Sequence, residues 1–315
     1  MATGGTGDVA SETPGGDGED ADYDVVVVGG GPAGCSAAVF AARYGLATAV
    51  FDRGRSSMRQ CAYLENYPGF PAGVDVETLY GLLHDHVAEA GSELIADLVE
   101  SVTREEDGQG FVVGTQDGRR VSTRRVVAAT RYDGDYLRPL DDGTMFETVE
   151  YDGEERERFA RSYPESDGTT PVDGLYVASP SDEADRQAIV AAGRGARVGL
   201  AVVRDARRAT GYPESVADHY DWVRREAARD AEWSDRDRWR EWYDDRCPDD
   251  ADLDGDRWVT LRERHIDRRL ATYITDDEIE RRTERGQRRL LDHVDDELVL
   301  ERAREIDADS VEVNR

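Results

Sequence analysis

At 315 residues and 38% hydrophobic content, the chain has enough apolar material for one large folded domain and a smaller one. Its 69 acidic residues outnumber 40 basic ones, all arginine, and the resulting net charge of −29 argues against nucleic acid, whose phosphates would be repelled. The three cysteines, Cys35, Cys61 and Cys247, are too few and too scattered for a disulfide framework or a Cys-x-x-Cys metal site, which points to a reducing cytoplasm and to no bound metal.

The acid is spread along most of the chain. Such a surface stays hydrated in concentrated salt, where screening confines repulsion to within roughly 3 Å at 1 M, so a salt-adapted source is expected. The alternative is a partner of positive charge. Residues 1–21 are mostly Gly, Asp, Glu, Ser and Thr and read as a disordered acidic tail, not a signal peptide. Tyr23 to Val28 is a β-branched run ending at glycines, as a strand buried on both faces should be. Gly34 to Tyr44 is Ala-rich and helical, and Ala47 to Asp52 is a second strand, completing a β-α-β unit. Thr78 to Ala90 carries Leu79, Leu82, Leu83 and Val87 at helical spacing. Phe111 to Thr115 and Arg120 to Thr130 are strands joined by the turn Gln116-Asp117-Gly118-Arg119. Residues 132–170 are acidic, turn-rich and weakly patterned, and are expected to be a short connection. Leu175 to Ala178 resumes the strands and Gln187 to Arg207 is a long Ala- and Val-rich helix. The most apolar stretch, Ala188 to Val203, is interrupted by Arg194 and Arg197, so no membrane span is expected. From Arg208 the composition shifts to dense Arg, Asp and Glu with all five tryptophans, which reads as an acidic helical extension in which the indoles pack helices together.

Gly29-Gly30-Gly31-Pro32-Ala33-Gly34 places glycine at the first, third and sixth positions between the first strand and first helix. Gly29 allows the tight turn, Gly31 admits a pyrophosphate to the backbone, and Gly34 lets helix pack closely on strand. The helix N-terminus, with Pro32 and Ala33, then offers amides and partial positive charge to the phosphates. Asp52, followed by Arg53, closes the second strand about twenty residues on, where a carboxylate can take the hydroxyls of an adenosine ribose. A dinucleotide is the expected ligand.

Glu65-Asn66-Tyr67-Pro68-Gly69-Phe70-Pro71 resembles the matching stretch of the low-molecular-weight thioredoxin reductases and their flavoprotein relatives. The likeness resumes at Val172-Asp173-Gly174-Leu175-Tyr176-Val177-Ala178 and at Arg186-Gln187-Ala188, and in all covers about half of the chain. It implies an α/β, Rossmann-type three-layer FAD-binding domain over 22–131 and 171–207, with a small antiparallel β element and a helical C-terminal extension over 208–315. It further implies FAD contacts from Asn66, from the backbone near Val99, from Thr130, and from Gln187 and Ala188 against the flavin ring. The family's FAD domains commonly pair, so a homodimer is implied.

The chain departs from that family where its chemistry lies. About 40 residues separate Thr130 from Val172, too few for the NADPH domain, and no Cys-x-x-Cys occurs. The expected Ala-Thr-Gly is Ala129-Thr130-Arg131, and Ser179-Pro180 stands at the expected Gly-Asp, with Asp182 or Asp185 as local substitutes. Cys61 is the candidate catalytic thiol, in the region where some relatives carry a single redox cysteine, with Arg59 nearby to lower its pKa; the alternative is a small buried apolar residue, as a solitary cysteine more often is. Cys35 is read as a small buried residue. The five histidines are assigned surface or helix-cap roles, His84 and His86 pointing to different faces of one helix. Asp250, Asp252, Asp254 and Asp256 imitate a calcium loop, but Leu261 stands where the closing Glu belongs, which leaves a solvated turn. The expected function is an FAD-dependent oxidoreductase-like flavoprotein other than an NADPH-thioredoxin reductase. Its electrons would be exchanged with diffusible NAD(P)H or with a small-molecule or protein redox partner. The alternative is a catalytically silent nucleotide-binding or interaction protein that keeps the fold, favoured by Arg131 and Ser179-Pro180.

Overall fold

Along a strand, Val25 and Val27 face one way and Val26 and Val28 the other, so this run is stable only where both faces are covered. Burying a valine gains about 1.5 kcal/mol, no more than fixing its backbone costs, and a half-covered strand would not hold. In the computed structural model, which describes residues 21–106, 108–132, 134–182, 186–247 and 255–313, all four valines are buried. The acidic tail, apart from Ala21, and Asp250, Asp252 and Asp254 of the calcium-like loop lie outside the described residues.

The chain forms two compact units, one reaching Tyr212 and including Ala217–Asp221, the other containing Pro213–Val216 and the residues from Trp222 onward. The first runs through β1 (Tyr23–Val28), α1 (Pro32–Tyr44), β2 (Thr48–Phe51), β3 (Tyr63–Leu64), β4 (Val74–Asp75) and α2 (Val76–Glu89). It continues through β5 (Glu93–Ile95), β6 (Val99–Arg104), β7 (Phe111–Thr115), β8 (Arg120–Ala129), β9 (Phe146–Tyr151), β10 (Glu154–Phe159), β11 (Leu175–Ser179) and α3 (Ala188–Ala209). The sheet order is β5-β2-β1-β8-β7-β6, with β11 also on β8. Strand β8 pairs parallel with β1 and has two further partners along its length: its first half pairs antiparallel with β7 and its second half parallel with β11. Strands β5, β2, β1, β8 and β11 thus form a parallel Rossmann-type sheet.

Three layers result. Val25, Val27 and Val127 pack under α1 and α3, with Val87 of α2. On the other face Val26, Val28 and Ala128 meet Val102, Phe111 and Val113 of the antiparallel element, together with Leu137 and Met145. Residues 132–170 are more than a connection: they hold a helical turn at Asp135–Leu140 and the β9-β10 hairpin. The hairpin escapes detection in the sequence because β10 is exposed on both faces apart from Phe159, so its charges mask the period-two pattern.

The second unit, with α4 (Glu214–Ala217) at the changeover, contains β12 (Arg224–Arg225), α5 (Arg236–Asp244), α6 (Gly255–Leu270), β13 (Tyr273–Ile274), α7 (Asp276–Leu291) and α8 (Asp296–Val313). Trp239 packs against Trp233 and Trp242, and Tyr243 bridges Trp242 to Trp258 in edge contacts. Trp239, Tyr243, Trp258 and Ile266 are buried, whereas Trp222 is exposed. Among the described residues no helix is long and apolar enough to cross a membrane.

Helix α3 lies on α1 through glycine. A Cβ on Gly195 would stand 2.0 Å from the Ala33 carbonyl oxygen, whereas one on Gly193 would meet nothing within 4 Å. Gly195→Ala should therefore destabilise the protein by about 2 kcal/mol or more. Gly193→Ala should be neutral or stabilise by up to about 1 kcal/mol, the difference in helix propensity. Denaturant midpoints in molar salt check both, and equal effects would refute the packing account.

Candidate dinucleotide cleft

The turn between β1 and α1 is shaped by three glycines with different duties. Gly29 has φ 111° and its backbone lies so close to β8 that a Cβ would be 2.5 Å from the Ala129 oxygen. Gly34 sits behind the turn, where a Cβ would be 1.8 Å from the Gly29 oxygen. Gly31 differs: its backbone is extended, and a Cβ there would meet only Ser56 Oγ at 3.6 Å and Tyr80 Oη at 3.9 Å. Gly31 is thus open to a visitor, whereas Gly29 and Gly34 are closed by the protein itself. Helix α1 starts with Pro32, has no side-chain cap and no acidic residue in its first turn, so its leading amides are offered to an anion.

Asp52 follows β2 and points at this turn; a Cβ on Gly30 would lie 2.7 Å from Asp52 Oδ2. Its side chain is only 8% exposed. Oδ1 accepts from the Gly54 amide at 3.0 Å, whereas buried Oδ2 has no well-formed hydrogen-bond partner and sits 3.4 Å from His84 Nε2. The same His84 nitrogen is 3.0 Å from the Gly30 carbonyl oxygen, and Tyr80 meets the imidazole edge-on. This corrects the surface role expected of His84. Tyr80 and His84 are one turn apart on the buried side of α2, next to Leu79 and Val87, and that spacing was the available signal. Burial pushes the Asp52 carboxyl up, but His84 and the Gly54 amide more than offset it and hold it below the ordinary carboxylate value. The Asp52 carboxylate raises His84 above the usual histidine value against the opposing effect of burial.

A cavity of about 390 Å³ opens beside the turn. It brings together Gly29, Gly31, Pro32, Ala33, Asp52 and Arg53 with Cys61, Val99, Thr130, Gln187 and Ala188. Gly34 lies outside the lining. Asn66 does too, but it donates from Nδ2 to Gln187 Oε1 at 2.9 Å, joining the two segments read as flavin contacts. Ser179 lines the cavity and its carbonyl accepts from the Thr130 amide, whereas exposed Asp182 does not line it and Asp185 lies outside the described residues. Arg59, expected to act on Cys61, instead binds Glu77 and lies over the Tyr80 ring. Cys61 is exposed, whereas Cys35 is buried and its thiol is pushed up to about 12 by burial.

The lining also contains Arg55 and Asp97, which motif reading passed over. Arg53, Arg55, Arg131 and Arg186 face it, against Asp52 and Asp97, so a cationic cleft lies within a chain of charge −29. Arg131 adopts φ 67°, a left-handed conformation that costs a residue with a Cβ about 1 kcal/mol. No group of three or more His, Cys, Asp or Glu suited to a metal ion occurs among the described residues.

A family model described as pyridine nucleotide-disulphide oxidoreductase matches residues 23–131, the segment that supplies the turn, Asp52 and most of the sheet. The match covers about a third of the chain. Thioredoxin reductase of Bacillus subtilis (strain 168) is 32% identical over 109 residues, which cover 34% of this chain and 33% of that protein. The bifunctional thioredoxin reductase/thioredoxin of Mycobacterium leprae (strain TN) is 36% identical over 110 residues, 34% of this chain and 23% of that one. The chain thus spans a third or less of the length of these relatives. A solved thioredoxin reductase from Gloeobacter violaceus aligns at 18% identity and a TM-score of 0.48, covering 64% of this chain and 98% of that one.

His84 links the site to pH. A histidine raised on folding stabilises in full below its unfolded value of about 6.5, and this is lost as pH rises through the higher folded value. The gap in melting temperature between wild type and His84→Gln should be widest near about pH 5.5 and shrink toward about pH 9. A gap independent of pH would show that Asp52 does not hold the imidazole in its charged form.

Proposed function

We propose that the first unit binds FAD and that the protein is a flavin-dependent oxidoreductase whose electron donor binds elsewhere than in a dedicated nicotinamide domain. The observation that carries the reading is the contrast among the glycines: the turn is closed on itself at Gly29 and Gly34 and open only at Gly31, beside the uncapped start of α1 and Asp52 of the cavity lining. A diphosphate would be held by the amides of α1, and ribose hydroxyls would supply Asp52 Oδ2 with the donors it lacks. The arginines of the lining favour the anionic ligand. Gln187, oriented by Asn66, would meet the flavin end.

Bound flavin supplies one- and two-electron transfer, and the protein orients it and controls access to it. Cys61 is exposed on the same lining and is the candidate thiol for exchange with a disulfide or thiol substrate. Residues 132–170 form a helical turn and hairpin in place of a nucleotide-binding domain, so NAD(P)H would reach the flavin by diffusion or a reduced partner protein would deliver the electrons.

Visible absorption of the protein purified in molar salt tests the reading. Bands near about 370 and 450 nm are expected, and a colourless protein that cannot be loaded with FAD overturns it. Colourless protein that still binds ADP would favour the catalytically silent, nucleotide-binding alternative. Gly31→Ala should leave the melting temperature of ligand-free protein unchanged, since nothing lies within 3.4 Å of the added carbon. It should weaken FAD binding by a factor of about ten or more, because the methyl stands where the diphosphate must approach.

A further inference from the structure

Arg131 occupies a position where the family resemblance leads one to expect glycine, and it keeps the left-handed backbone that glycine would adopt without strain. Strain retained in a cleft motivates a search for function. Gly29 lies against Ala129 and Thr130, so Arg131 leaves the backbone beside the start of the phosphate turn. Gly31, at the other side of the turn, faces Ser56 Oγ. Between these two points the Arg131 side chain crosses and donates from a terminal nitrogen to Ser57 Oγ at 2.7 Å. The guanidinium thus ties the end of β8 to the Ser56–Ser57 loop beside the turn, and its central carbon lies 4.6 Å from the centre of the Tyr132 ring. Asp52 lines the same cavity, as do Arg53 and Arg55 from the loop that carries Ser57.

We propose that Arg131 is a diphosphate-binding residue of this cleft, which gives up Ser57 to clamp the ligand's phosphoryl oxygens against the α1 amides. The inference rests on the dinucleotide reading above and deepens it: the ligand class is a nucleoside diphosphate or a dinucleotide built on one. A guanidinium fits because it can bridge two oxygens at once and remains charged in a dehydrated cleft. A serine hydroxyl is a suitable resting partner because it is a neutral acceptor, and a guanidinium bonds an anionic phosphoryl oxygen more strongly.

Equilibrium binding of adenosine, ADP and FAD to the full chain in molar salt is the test, with Arg131→Gly and Arg131→Gln as variants. Arg131→Gly relieves the backbone strain and should fold at least as well as wild type, so lost binding cannot be ascribed to unfolding. Arg131→Gln keeps a donor of similar reach for Ser57 and removes the charge. Both variants should lose about ten-fold or more in affinity for ADP and FAD and leave adenosine unchanged. Equal or tighter ADP binding by Arg131→Gly overturns the proposal, since the side chain would then obstruct the site. A parallel loss of adenosine also overturns it, as that marks a merely structural role. Wild-type protein that binds ADP with this dependence but refuses FAD removes the flavin reading alone. Wild-type protein that binds no ADP removes the clamp.

Discussion

Helix α1 can begin directly beyond β1 because Gly34 rests against the Gly29 carbonyl, at a distance no side chain would permit. That contact fixes the direction in which the first amides of the helix point, and it brings Gly29 up against the end of β8. The rest of the cleft hangs on it. Asp52 reaches the turn because β2 pairs with β1, the carboxylate is oriented by Gly54 and His84, and His84 is held in turn by the Gly30 carbonyl. Helix α3 uses the same device one layer out, where Gly195 meets Ala33, so Gln187 and Ala188 at its start are carried to the cavity rim. Small residues at helix crossings thus act at a distance, by setting where larger polar groups arrive.

Charge is divided between surface and interior in an unequal way. The chain as a whole carries −29, yet the described cavity lining has four arginines and two aspartates. At high ionic strength the field of the surface acids dies within a few ångströms, so an anion near the cleft would respond to its immediate donors and little else. Arginine also supplies internal bracing. Arg194 is buried and donates to the carbonyls of Val177, Ala178, Glu165 and Ser166, tying the segment after the hairpin to β11. Arg207 is buried too, bonds the Ala217 carbonyl and lies over the Tyr212 ring at 4.0 Å. A guanidinium, planar and weakly hydrated, has five donors in a fixed fork and at Arg194 serves four carbonyls, one more than the three donors of a lysine could.

The amino-acid sequence by itself determined the parallel sheet and the phosphate turn. Four valines in a row demand two covered faces, and glycines at the first, third and sixth positions between strand and helix have few other uses, so these features are local and carry their own reason. The pairing of Phe111–Thr115 with Arg120 onward was legible for the same cause, a turn motif between two apolar runs. What only the tertiary structure decided depends on residues distant in the chain. His84 becomes a partner of Asp52 and Gly30 through the packing of α2, 54 residues after the turn it touches. Arg131 reaches Ser57 across 74 residues. The β9-β10 hairpin was hidden because its charges lie on both faces and only a few side chains, Phe146 and Phe159 among them, anchor it to the core. Periodicity and motifs record what a segment does to its own backbone; the direction of a polar side chain is set by whichever carbonyl or carboxylate the folded chain brings within about 3 Å of it.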